Sequence, residues 1–588
     1  RDSSITVNGL LALTRHATRD TLYAYDALGR QTGVTDPRTG TSLTHYNALG
    51  QVDWTEDAAG NRTTYAYEPT TGRRSAVTDA LGQATYTAYD LRGNAVRQWG
   101  ATYPLEYSYD MYGRMTELRT FRGGTGWEGP DWPADPGTPD VTTWTYDEPT
   151  GLLAAKTYAD GHGTTYTYDA AGRLATRTWA RLVVPPLGGP EVPLVTTYSY
   201  SPSTGEMTGI DYSDATPDVA FTYTRLGQQA TVTDACGTRE FAYSATTLDL
   251  TCETLPAAFY GDKLLTRTRD ALGRDTGFQI GTAADHDADY AVAYAYDTFG
   301  RFASLTDTRL ATPNTFSYSY LADSDLLETA TLPGNITVTR VYEPNRNLIA
   351  AVENKAGATT VSTYQYTNDQ VGRRTARAHS GTAFSAADTI AYGYNSRNEV
   401  ISAVAAADPA YAFAYAYDPI GNRQTYTNDG NPTTTYTTNA LNQYTALTQG
   451  ADTVNPQYDL DGNMTRLVVP PSGGPDWSLT WDGENRLVEA VKTGATKLVF
   501  TYDYMSRRVA KKVFRFVVPP SGGPGDWVLD SHLLFLYDAW NLVLTLDAMD
   551  ANATLQAFTW GLDLSQSLQG AGGVGGLLAV TDSSGTYF

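Results

Sequence analysis

Aromatic residues recur two apart along almost the whole chain, each pair followed by Asp or a stand-in, two variable residues, then Gly or Asn and often Arg. The phrase is plain in Tyr23-Ala-Tyr25-Asp26-Ala-Leu-Gly29-Arg30, in Tyr166-Thr-Tyr168-Asp169-Ala-Ala-Gly172-Arg173 and in Tyr294-Ala-Tyr296-Asp297-Thr-Phe-Gly300-Arg301. Looser copies keep the pair: Tyr65/Tyr67, Tyr107/Tyr109, Trp144/Tyr146, Tyr198/Tyr200, Tyr318/Tyr320, Tyr364/Tyr366, Tyr392/Tyr394, Tyr415/Tyr417, Phe500/Tyr502 and Phe535/Tyr537. The period is about 21 residues, and internal repetition of this kind outranks every other signal in a chain.

Side chains alternate faces along a strand, so an aromatic pair at i and i+2 puts both rings on one face. The Asp predicts a turn, because its carboxylate bonds the backbone two residues on. Gly, or Asn as at Asn442, accepts the positive φ of a tight turn. Thr, Val and Arg then start the return strand. One repeat reads as a hairpin, or as one strand and its turn. A lone hairpin cannot bury its face, so neighbouring repeats must stack into a long sheet. The expected class is all-β, and no long window shows helical periodicity.

At 588 residues and 41% hydrophobic the chain is long enough for several domains, yet the unbroken repeat argues for one spanning 1–588. Its 54 Gly and 28 Pro supply punctuation for many turns. A formal charge of −22 argues against a nucleic-acid surface, which needs clustered Lys and Arg. Acidity serves solubility, and it also favours a basic cargo or partner. No apolar run approaches the ~20 residues that span a bilayer. The start, Arg1-Asp-Ser-Ser-Ile, is not a signal peptide, and both ends read as cuts through a longer polypeptide.

The rhythm breaks in three kinds of place. Residues 122–141, rich in Gly, Pro and Trp, predict a surface loop, since Pro at that density cannot sit in a central strand. Residues 245–292 lose the clean phrase and predict an irregular excursion from the sheet. An octapeptide appears three times, at Val183–Pro190, Val468–Pro475 and Val517–Pro524. It is either a docking motif on one rim or an insertion tolerated at hairpin tips.

Candidate chemistry is sparse. The six histidines are isolated, with no His-Glu-x-x-His, and no Gly-Lys pair exists for a phosphate loop. Gly124 to Gly129 and Gly570 to Gly575 match Gly-x-Gly-x-x-Gly, but neither is set between a predicted strand and a helix, so no nucleotide cofactor is expected. Asp285, Asp287 and Asp289 alternate like the opening of a calcium loop, but Tyr290 stands where Gly is required and Tyr296 where a bidentate Glu should close it; a solvated acidic turn is the competing reading. Cys236 and Cys252 flank a predicted hairpin and are either a disulfide or two buried thiols. The aromatic pairs suit cross-strand packing better than sugar stacking.

The motif Tyr-Asp-x-x-Gly-Arg at this period resembles the YD repeat of the Rhs family, shared with teneurins and with the cocoon component of insecticidal ABC toxins. Residues 533–588, with Leu533-Leu-Phe-Leu-Tyr-Asp-Ala-Trp-Asn541 and Trp560-Gly-Leu-Asp-Leu564, resemble the last part of an Rhs core. The resemblance implies a β-ribbon spiralling into a large hollow shell, secreted or at the cell surface. It implies a C-terminal toxin or effector as cargo, and an N-terminal plug or secretion machinery as further partners. In bacterial members the cargo is often freed by aspartyl self-cleavage near Asp-Pro-x-Gly-Leu. The nearest match here, Asp418-Pro-Ile-Gly421-Asn422, departs in its last place and lies inside an ordinary repeat, so no catalytic Asp is assigned. The expectation is a non-catalytic encapsulating scaffold without cofactor. The alternative is an adhesion or structural protein that binds a partner cell or glycan, and a polysaccharide-acting enzyme ranks third.

Overall fold

The computed structural model describes residues 3–588 apart from 8–9, 17–18, 186–187, 287–288, 310–312, 468–475 and 521–522, with side chains described from Asp20 onward. Fifty strands follow one another with a single helical turn, Ala257–Tyr260, among the described residues. From Ser3 to Val454 every strand pairs antiparallel with its neighbours in sequence, and from Gln457 to Tyr587 eleven more do the same. The molecule is therefore one ribbon, a single strand wide. Its two edges are rows of turns: one row holds the turns that follow the aromatic pairs, and the other holds the connections between repeats, Asp57-Ala-Ala-Gly60 and Asp79-Ala-Leu-Gly82 among them.

The turn phrase works as the residues predict. Asp26 accepts the backbone N–H of Leu28 at 2.9 Å and of Arg30 at 3.0 Å, and Gly29 takes a φ of 78°. Asn442 does the same duty at 60°. The Arg departs from expectation. It does not begin the return strand, which starts at Gln31. Instead Arg30 Nε turns back to the second Asp26 oxygen at 2.7 Å, and its guanidinium lies 4.5 Å over the ring of Tyr46 in the next repeat. Arg173 over Tyr200, Arg274 over Tyr296 and Arg301 over Tyr320 repeat the arrangement at 4.3–4.4 Å.

The second aromatic is Tyr for a reason beyond packing. The ladder slips by one residue at this position in repeat after repeat, as at Ala24/Tyr25 and Thr167/Tyr168, a β-bulge that bends and twists the ribbon. The hydroxyl then donates to a carbonyl just past the preceding phrase: Tyr46 to Gln31 at 3.0 Å, Tyr168 to Leu153 at 2.9 Å, Tyr342 to Leu327 at 2.9 Å. Trp481 and Trp560 stand in with Nε1–H, to Met464 and Leu542. Each repeat is thus tied to the one before it by a hydroxyl and to the one after it by a guanidinium.

The ribbon closes on itself after about one turn of a spiral. Arg38, between the fourth and fifth strands, meets Asn347, between the twenty-ninth and thirtieth, twenty-five strands later. Toward the end the turn shortens: Tyr318, in the twenty-seventh strand, meets Leu562, just past the forty-eighth. At ~4.8 Å per strand, twenty-five strands make a ring about 40 Å across, and the loss of four strands narrows it to about 32 Å. The wall is one sheet thick around the enclosed space. The large buried cluster is confined to the narrow end, where Leu265, Ile280, Tyr290 and Phe316 pack against Leu534, Leu536, Leu544 and Leu546.

Two breaks in the rhythm look different in three dimensions. The ladder runs without interruption through 245–292, pairing Leu250–Thr254, Leu264–Arg269, Asp275–Gly281 and Tyr290–Tyr296 in order, so the expected excursion is corrected to two longer edge connections, one of them the helical turn. The 122–141 loop lies back on the sheet. Phe121, Trp127 and Trp99 are buried around half-buried Trp132, and the Trp99 and Trp127 indoles donate to Gly129 and Gly123 carbonyls. The octapeptide copy at 468–475 lies outside the described residues, as do parts of the other two.

Candidate functional site

The site that gives this molecule its character is the seam where the first turn of the spiral meets the second. Connections on the far edge of the first turn supply side-chain fingers, and Asp-x-x-Gly tips on the second turn receive them. Arg38 donates to the Glu343 and Arg346 carbonyls at 3.0 and 2.7 Å, while Asn345 donates back to Thr39 at 3.2 Å. Tyr103 reaches Glu399 at 3.4 Å, and its hydroxyl lies so near Gly421 that a Cβ there would sit 2.5 Å away. Arg122, held by Asp140, donates to the Thr438 carbonyl at 3.0 Å.

Arg181 is the most buried finger. Its guanidinium bonds the Asp482 carbonyl at 2.6 Å and approaches Asp459 at 3.3 Å, while the N–H groups of Ala180 and Arg181 both donate to Asp461 at 2.9 and 3.0 Å. Burial pushes the Asp461 carboxyl above its usual range, with the Arg181 contacts pulling the other way. Further along, Gly483 N–H donates to Thr216 at 2.6 Å and Tyr504 N–H to Asp234 at 2.8 Å. A cavity of about 480 Å³ lies in this stretch of seam, lined by Val183, Thr216, Asp482, Phe500 and Tyr504 among others.

At the narrow end the seam becomes a packed closure. Glu253 is buried between Arg239 and Arg267, and Arg267 also bonds Asp538 across the turns. Burial alone would raise the Glu253 carboxyl; the Arg267 and Arg239 guanidiniums overcome it and hold the group below the usual carboxylate range. Asp538, buried with Arg267 as its cation, stays above that range because burial wins. Tyr260 donates to the Phe535 carbonyl at 2.9 Å, and Tyr290 meets Thr559, which donates to Asp307 at 2.7 Å. The glycine tract 570–575 wraps Asp563, whose carboxylate accepts the N–H groups of Ser565, Ala571 and Gly573. That is a loop held by its own carboxylate, with no helix after it.

The residues singled out from sequence fall elsewhere. Asp289 pairs with Lys263 at 2.7 Å, Asp285 is exposed in the adjoining loop, and Asp287 lies outside the described residues. Among the described residues no three His, Cys, Asp or Glu side chains gather as a metal site. Cys236 and Cys252 are free thiols, so of the two readings the disulfide is corrected. Cys252 pairs with Ala242, near the end of the strand that Cys236 precedes. Six residues of strand put them ~20 Å apart, well beyond the reach of a disulfide. Asp418 forms an ordinary turn, bonded to Ile420, Asn422 and the Asn422 amide, beside the Tyr103 finger. The seam fingers themselves were missed. Among the described residues no helix is long and apolar enough to cross a membrane.

The sequence model of the Teneurin YD-shell family matches residues 192–515, more than half of the chain. The chain belongs to the Teneurin YD-shell family. An RHS Repeat also matches, at residues 146–180. The fold of this YD-shell is similar to the crystal structure of TcdB2-TccC3-TEV, at 15% identity and a TM-score of 0.53, covering 92% of this chain and 34% of that one. It is also similar to a chain of the Photorhabdus luminescens Tc holotoxin pore, at 14% identity and a TM-score of 0.53, covering 94% and 34%. The chain thus spans about a third of the length of the solved chains it matches. No curated protein matches it.

Proposed function

We propose that this YD-shell is a structural wall that encloses a polypeptide cargo, a toxin or other effector, and shields it until delivery outside the cell that makes it. The observation that carries the reading is the seam. A one-layer ribbon that winds past a full turn, and locks edge to edge through Arg38, Tyr103, Arg122 and Arg181, separates an inside from an outside. The similar chains come from Tc toxin structures, which supports the same purpose here. No reaction chemistry is assigned to the wall. Its turn carboxylates are consumed by backbone N–H groups and by their own Arg, as at Asp169 and Arg173.

In the 122–141 loop Trp127 turns, with Phe121 beside it, into a small core against the sheet rather than outward toward a partner cell or glycan. Intact mass spectrometry of the native particle under denaturing conditions tests the proposal. A second polypeptide, or an effector domain covalently continuous with the wall and resistant to protease in the native state, supports it. A wall with no such content overturns it.

A further inference from the structure

We propose that the cavity at the narrow end of the spiral, walled by Phe278, Tyr294 and Phe302 and closed over by residues 562–570, binds an uncharged saccharide of a few sugar units. The inference rests on that cavity alone, and it holds whether or not the shell carries cargo.

The cavity holds about 910 Å³, inside the roughly 300–1,000 Å³ range of ligand pockets. It forms where the sheet face of strands Leu264–Arg269 through Asn314–Tyr320 meets the loop that follows Trp560. Three guanidiniums, of Arg267, Arg269 and Arg301, stand against three carboxylates, of Asp275, Asp325 and Asp538, and the lining holds no other charged side chain. These charges satisfy one another or a neighbour. Arg267 pairs with Asp538 and Arg269 with Asp275, each at 2.9 Å, and Arg301 pairs with Asp297 at 2.8 Å. A phosphate or an amine would meet no net countercharge here, so the electrostatics favour a neutral ligand.

What the cavity offers instead is unpaired hydrogen-bonding capacity beside an apolar wall. Asn541 is only 6% exposed, yet its side-chain amide forms no hydrogen bond among the described residues. Buried polar groups are normally paired, and an exception asks for a partner. Gly573 packs so close that a Cβ there would lie 2.3 Å from Asn541 Oδ1, which holds the amide in place. Arg267 keeps one Nη1 unpartnered beside its carboxylates. The Tyr296 hydroxyl donates to the Asp275 carbonyl at 2.8 Å, whereas that of Tyr294 has no partner among the described residues. A donor, a hydroxyl and an amide that both donates and accepts are the complement of sugar hydroxyls. Phe278, Phe302 and Leu568 give the C–H face of a sugar ring an apolar surface to cover. Water alone would satisfy the polar groups and leave that surface wet, and a lipid chain would cover the surface and leave the amide unpaired. A saccharide meets both needs.

Saturation-transfer NMR followed by calorimetry on the native particle tests this. The probes are neutral mono- to tetrasaccharides built from hexoses, 6-deoxyhexoses, pentoses and N-acetylhexosamines, with sulfated sugars and aryl amines as charged comparators. The expected result is saturable binding of at least one neutral oligosaccharide. Tyr294→Phe, which removes one unpartnered oxygen and should leave the melting temperature unchanged, weakens that binding about fivefold. Asn541→Leu weakens it at least tenfold, and Ser567→Trp, which fills the cavity from an exposed loop position, abolishes it. Binding by no neutral saccharide, tighter binding of the charged comparators, or binding undiminished by Tyr294→Phe and Ser567→Trp would each overturn the proposal. Absence of a cargo polypeptide in the same particles would defeat the encapsulation reading alone.

Discussion

At the scale of the residue, the YD phrase is a chain of hand-offs. Asp closes its turn, Arg returns to the Asp and covers the next Tyr, and that Tyr donates to a carbonyl near the previous turn. Tyr168→Phe removes one such bond, to Leu153, and should cost about 1 kcal/mol. Tyr166→Phe, two residues earlier on the same face, should cost less, because no such hydroxyl bond is formed there among the described residues; denaturant midpoints of the two variants check the difference. Asp26 and Asp169 sit below the usual carboxylate range, held first by the backbone N–H of Arg30 and Arg173. A depressed folded pKa gives stability that is present above the unfolded value of ~3.9 and is lost as pH falls through the lower folded value. These turns should therefore stay intact at pH 5 and begin to fail only below about 4, as thermal melts across that window would show. The Asp turn and the positive φ at Gly29 and Asn442 were legible because they act within four residues. The role of Arg was not, since its Tyr lies in the next repeat.

At the scale of the element, sequence showed the strands and hid how their edges meet. Alternation and turn chemistry depend on neighbours along the chain, and so the hairpins were readable end to end, including their continuation through weak copies. The seam joins residues hundreds of positions apart, such as Arg181 with Asp482. One signal was nevertheless present: Arg or Tyr in the far-edge connections at Arg38, Tyr103 and Arg122, and no Lys or Arg there in the second turn. The disulfide failed on register, which period alone does not supply; the ladder sets Cys252 opposite Ala242. Arg181→Ala should destabilise the seam by about 3 kcal/mol, because it strips the cation from buried carboxylates at Asp459 and Asp461. Hydrogen exchange is the check. Amides around 180–181 and 459–486 should exchange faster while those of 20–100 stay as protected as before.

At the scale of the molecule, the taper from twenty-five strands per turn to twenty-one narrows the spiral toward its C-terminal strands. Repeated bulges supply the bend, and the apolar cluster around Leu265, Leu536 and Leu544 is the largest buried cluster among the described residues. None of this size or closure could be read from period alone. A 21-residue hairpin repeat is compatible with an open sheet, a barrel or a spiral, and the choice lies in small angles that accumulate. The resemblance to Rhs proteins supplied that choice, and the seam explains it in contacts.

The central claim is that the wall separates a polypeptide inside from solvent outside. It is tested most directly by protease challenge of the native particle, intact and with Arg38→Ala and Arg181→Ala opening the seam, each followed by denaturing mass spectrometry. The account predicts a non-wall polypeptide segment that survives in the intact particle and is digested at least tenfold faster once the seam is opened. A particle with no such segment, or one digested equally fast in both, would contradict it.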